Sequence, residues 1–173
     1  VLDGKILLTN VRKYSVIIYS VCVVHVFLFL FFACLHVLPL MIFNIFSVAM
    51  YLSLHLFVKR ENYLACFFMT YGEICIHTIF AMCILGRDTG FIFFNLALVP
   101  VSFYIGFTTN TFKKKMVYPM LLMVGNLILT ACATAYMFYG TPIYGDALSR
   151  DEVFLTNAFN VAVAFVFLAV FSI

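Results

Sequence analysis

Residues 63–85 read YLACFFMTYGEICIHTIFAMCIL, and the only charged side chain among them is Glu73. A stretch of this length and greasiness matches the ~20 residues that cross bilayer hydrocarbon as a helix. Lipid offers no partners for free backbone N–H and C=O groups, so a spanning segment must satisfy them internally. A barrel strand would be half as long and would alternate in polarity, whereas this run is continuous. The segment therefore reads as a buried helix of a membrane protein, with Glu73 and His77 four residues apart on one face.

The rest of the chain follows the same pattern. Hydrophobic residues make up 66% and charged residues 10% of the 173 positions, well below the quarter of charged residues usual in soluble domains. Six spans are predicted, over 15–37, 39–58, 63–85, 90–107, 116–139 and 153–173, after an N-terminal segment 1–14. The expected fold is an all-α, polytopic six-helix membrane bundle. Eight of the ten basic residues, Lys5, Arg12, Lys13, Lys59, Arg60, Lys113, Lys114 and Lys115, fall on one side of this arrangement, leaving Arg87 and Arg150 on the other. The positive-inside rule then makes both termini cytoplasmic. The outer side holds an HVLP turn, a GRDTG turn and the longer loop GTPIYGDALSRDE. No apolar core of signal-peptide length precedes the first long span, so that span is expected to direct insertion.

The formal charge of +3 comes from residues that punctuate apolar runs, which excludes a nucleic-acid patch. The six cysteines are scattered without a CxxC pair and read as small packing residues. Pro119 starts the fifth helix, whereas Pro100 lies inside the fourth and is expected to kink it, either for packing or to shape a cavity.

An ionised carboxylate in mid-membrane is costly unless paired, hydrated or protonated, so Glu73 marks a candidate functional position. His77 can share a proton with it. Counting about 1.5 Å per residue from the outer ends places Asn44 at nearly the level of His77, with Asn157 and Asn160 entering there too. Ser47, three residues after Asn44, extends a polar stripe. The expected pocket is lined by Asn44, Ser47, Glu73, His77 and Asn160, with Phe and Tyr walls and a small-molecule or lipophilic ligand. His36 and His55 sit near span boundaries and read as interfacial. His25 lies in mid-helix near the depth of His77, so a second reading makes His25 and His77 the axial ligands of a b-type haem; no other metal site is indicated.

No P-loop, GxSxG or HExxH motif occurs and no nucleophile accompanies the Glu/His couple, so this segment is not expected to be an enzyme by itself. A small proton-coupled transporter using Glu73 is a third reading. The absence of a visible internal repeat weighs against it, since all four histidines lie in the first three helices.

Taken in order, LPLMIFNIFSVAMYL, KRENYLACFFMTYGEICIHTIFAMCILGRDTGF, NLALVPVSFY and the basic KKK resemble the six-helix N-terminal membrane module of bacterial nucleotide-cyclase signalling proteins. In those proteins a class III adenylate/guanylate cyclase or GGDEF diguanylate cyclase domain follows helix six. The resemblance covers Leu38 to Tyr104 and thins to topology alone in the last two helices. Its specific part is Pro39 to Ser47, then Glu73 with His77, then the outer turn Gly86, Asp88, Gly90 and Phe91. The resemblance implies a homodimeric input module in the bacterial inner membrane, with helix six passing a signal to a covalently attached cytoplasmic output domain after residue 173.

Overall fold

The computed structural model describes the backbone of residues 2–108, 117–145 and 148–172, with side chains over 11–12, 14–105, 117–145 and 148–169. The helices are α1 (Leu2–Cys34), α2 (Leu38–Lys59), α3 (Tyr63–Leu85), α4 (Ile92–Thr108), α5 (Val117–Tyr139) and α6 (Arg150–Ser172), with a short 3-10 turn at Arg87–Thr89. No strand occurs among the described residues. Five segments are long and apolar enough to cross a membrane: Tyr14–Cys34, α2, α3, α5 and Arg150–Ala169. The span predicted over 90–107 corresponds to α4, whose 17 described residues reach about 25 Å, less than the other five. Segment 1–14 is helical from Leu2 onward, continuous with α1. Lys113, Lys114 and Lys115, used above for orientation, lie outside the described residues, as do Asp146, Ala147 and the side chains of Lys5 and Lys13.

The chain divides into two compact units, Val1–Tyr71 and Gly72–Ile173. In the first, α1 buries Tyr14, Ile18, Val21, His25, Leu28 and Phe32, and α2 buries Leu40, Asn44, Ser47, Tyr51, Leu54 and Val58. Both stripes advance by alternating steps of three and four, the 3.5-residue period that keeps a seam facing a neighbouring helix. The connections are equally specific. His36 adopts φ 56°, with His36 N bonding Ala33 O and Val37 N bonding Phe32 O. Glu61 adopts φ 58°, with Glu61 N bonding Val58 O and Asn62 N bonding Phe57 O. Each is a Schellman closure with a left-handed residue just past the helix. Asn62 Oδ1 then accepts from Ala65 N and caps the start of α3.

In the second unit, the loop after α5 supplies donors that the end of α3 lacks. Ile143 N bonds Cys83 O at 3.3 Å and Tyr144 N bonds Ile84 O at 2.8 Å, satisfying two terminal carbonyls. The segment Gly86–Phe91 does not stay level with the helix ends. Phe91 is buried and its ring stacks on that of His77 at 6.0 Å, about 12 Å back along α3 from Leu85. From the other side, Asn157 and Asn160 of α6 donate to Asp88 O and Thr89 O, both at 2.8 Å. These asparagines lie about 10 and 15 Å along α6 from Arg150, so two independent counts agree that the turn is recessed. The turn thereby sets where α4 begins, at Ile92. Pro100 lies on the exposed face of α4.

Irregular backbone is tolerated at such depth only when other groups satisfy it, which the two asparagines do. The glycines make the path possible. Gly86 and Gly90 adopt φ 95° and 81°, and a Cβ at Gly90 would come within 3.2 Å of Asn157 Cα. Gly90→Ala is therefore expected to cost about 1–3 kcal/mol through backbone strain and this clash. Gly125→Ala, a helical site with open space around it, should instead gain up to about 1 kcal/mol. Thermal unfolding in nanodiscs checks both, and a Gly90→Ala melting temperature equal to that of the unaltered protein would contradict the recessed geometry.

Candidate functional site

The middle of α3 carries the chemistry. Glu73 and His77 are buried, and His77 Nδ1 lies 3.4 Å from Glu73 Oε1, as the i,i+4 spacing predicts. A single proton shared across the pair leaves it net neutral whichever atom holds it, which suits an apolar setting better than a lone carboxylate. The Phe91 ring against the imidazole ties this pair to the recessed turn. Thr89 Oγ1 closes the turn by donating to Gly86 O at 2.6 Å.

A second set of polar side chains crosses from α3 to α5 and α4. Cys75, buried two residues after Glu73, directs its thiol at Asn126 Oδ1, 3.7 Å away. Asn126 Nδ2 donates to the backbone carbonyl of Asn95 at 2.6 Å, and Asn95 Nδ2 donates to Thr130 Oγ1 at 3.2 Å. Thr134 in turn donates to Thr130 O at 2.8 Å. Asn95 and Asn160 are fully buried, yet Asn95 Oδ1 and Asn160 Oδ1 accept no hydrogen bond among the described residues. Each has room in its bonding capacity for one small donor such as water. The reading from sequence weighed the charged and imidazole groups and passed over Asn95, Asn126 and Thr130. The signal was present in the pair Asn126 and Thr130, one helical turn apart in an otherwise apolar segment.

The first unit holds the other predicted residues. His25 Nδ1 lies 2.9 Å from Asn44 Oδ1, while Asn44 Nδ2 donates to Leu40 O at 2.7 Å. The amide orientation that follows makes Asn44 Oδ1 the acceptor, so His25 carries its proton on Nδ1. The imidazole also stacks on Tyr51 at 5.2 Å. Ser47 donates to Phe43 O one turn back, at 3.2 Å. His55 rests against Tyr19, with ring centroids 5.6 Å apart, and His36 is exposed in its turn. All six cysteines are free thiols, of which Cys66 and Cys75 are buried.

The structure thus joins Glu73 to His77 and His25 to Asn44, and it engages Asn160 with the Thr89 carbonyl. Gly86, Asp88 and Gly90 become parts of the recessed turn. Compared with known protein families, curated proteins and solved structures, the chain matches none.

Asn126 is the junction of the α3–α4–α5 network, since it both accepts and donates. Asn126→Leu leaves the Asn95 carbonyl without this donor and should destabilise the protein by about 1–3 kcal/mol, the penalty for a buried polar group left unmet. Thermal or denaturant unfolding of the nanodisc-embedded protein measures it, and a change below a few tenths of a kcal/mol would show that the network is not a structural element.

Proposed function

We propose that this chain is a membrane-embedded regulatory input module in which the Glu73–His77 pair is the responsive element. The observation that carries the reading is a buried acid and imidazole 3.4 Å apart within a helix of membrane-spanning length, stacked through Phe91 on a turn of irregular backbone. Moving or removing one proton changes the charge balance of the pair and the interaction it offers Phe91, so the turn has a physical means of sensing it. Resemblance to the membrane modules of bacterial nucleotide cyclases rests on Pro39 to Ser47, on Glu73 with His77 and on Gly86 to Phe91. The finer reading that follows is a six-span homodimer in a bacterial inner membrane, both termini cytoplasmic, controlling a covalently attached cyclase domain. Nucleotide synthesis by the full-length protein tests it. Glu73→Gln and His77→Ala are each expected to reduce the signal-dependent change in synthesis at least several-fold while helical content is retained. A regulated response indifferent to both substitutions would remove the pair from the mechanism.

Haem ligation by histidine is the second reading, and one observation favours it. Each candidate imidazole has Nδ1 engaged by an oxygen of its own unit, Asn44 for His25 and Glu73 for His77. Metal-binding imidazoles are commonly oriented by such a contact at one ring nitrogen. A bound haem would supply redox and gas-binding chemistry, and these residues would orient its histidines. Protein purified after haem-supplemented expression should then show a Soret band that His25→Ala and His77→Ala each diminish. A spectrum without that band rejects this reading and leaves the first intact.

A further inference from the structure

Because the Gly86–Phe91 segment is recessed, the end of the second unit is left open above it. The result is a cleft of about 320 Å³ lined by Arg87, Asp88, Phe138, Pro142 and Val153, with the buried Leu85 and Met137 at its base. The volume falls at the lower end of the range for small-molecule sites, and its exposed wall, slightly more polar than apolar, includes one cationic group.

Arg87 supplies that group, and its environment decides the sign of the ligand. Its guanidinium carbon stands 4.4 Å over the Phe138 ring, so one face of the cation rests on an aromatic platform while its edges keep their N–H donors. Asp88 also borders the cleft, but it reaches only Nε, at 3.4 Å, and its side chain is 79% exposed against 46% for Arg87. A contact of that length and exposure contributes little. The more exposed acid is therefore the weaker partner for a ligand. The arginine, held flat on a ring beside apolar carbon, matches the fork geometry of a carboxylate.

We propose that this cleft binds a small amphipathic carboxylate, with the acid on the Arg87 guanidinium and the apolar body against Pro142, Val153 and the exposed ring of Phe138. The site is separate from Glu73 and His77, and its existence does not depend on the function proposed for them. Its lower edge is the turn that continues through Thr89 to Phe91, so an occupant would touch the segment that leads to His77.

The test uses the protein in nanodiscs of zwitterionic lipid, with 4-phenylbutyrate as probe and 4-phenylbutanol and 4-phenylbutylamine as its neutral and cationic counterparts. Saturation-transfer NMR should show saturable binding of the acid, with the alcohol at least 10-fold weaker and the amine weaker still. Arg87→Gln should lower affinity for the acid at least 10-fold and leave the alcohol unchanged, and Arg87→Lys should fall between, since it keeps the charge but not the fork. The chain contains no tryptophan, so Phe138→Trp places a single indole in the cleft wall, and its emission should respond to the acid over the same concentration range. Equal binding of acid and alcohol would mean partition into the lipid or a merely apolar groove, and preference for the amine would make Asp88 the determinant; either overturns the proposal. If Arg87→Gln does not fold, the contrast between acid and alcohol on the unaltered protein decides alone.

Discussion

The second unit depends on one constraint: the backbone carbonyls of the turn between α3 and α4 lie well below the helix ends and need donors there. Asn157 and Asn160 provide them from a single face of α6, three residues apart, reaching Asp88 and Thr89. The Asn160–Thr89 bond is buried, where an unsatisfied carbonyl costs several kcal/mol, so that bond is a condition for the turn to be where it is. The consequences extend in both directions. Inward, Phe91 is delivered to His77; outward, the withdrawn turn leaves the cleft beside Arg87 and Phe138. Gly86 and Gly90 permit the path because their positive φ values are strained for residues with a Cβ.

The first unit solves a different problem with different means. Two helices joined by a very short turn bury matched stripes, and the polar members of those stripes meet each other. His25 and Asn44 would each be expensive as isolated groups in an apolar seam, yet together they satisfy one another, and Asn44 returns its remaining donor to Leu40 O. Such a pair also pins the register of the seam, because sliding either helix by one residue would leave both groups without partners. The left-handed conformations of His36 and Glu61 are accepted for the helix closures they allow.

Much of this was legible in the residues. The starts and ends of α2 and α3 follow from Pro39 near the first turn, the basic pair Lys59 and Arg60, and the Asn62 cap, all local signals. The Glu73–His77 contact follows from helical periodicity alone. Less was legible where the chemistry of a residue is ordinary and only its neighbour makes it matter. Asn95, Asn126 and Thr130 look like incidental polar residues until three helices bring them into one network. The GRDTG turn looked like a surface connection because its composition is that of any exposed turn, and nothing local says that α6 will draw it inward. The start expected for the fourth helix, at 90, fell two residues early, since Phe91 is apolar enough to read as part of a span.

The sequence by itself determined that the chain is helical and apolar over membrane-spanning lengths, and that an acid and an imidazole share a face in α3. Both follow from composition and a 3.6-residue period, which act within one segment. Only the tertiary structure decided which oxygen each amide would meet, how deep the turn after α3 would lie, and that a cleft would open above it. Those outcomes rest on hydrogen bonds between residues some seventy positions apart, Asn160 to Thr89 and Asn157 to Asp88, and such pairings exist only once the helices are packed.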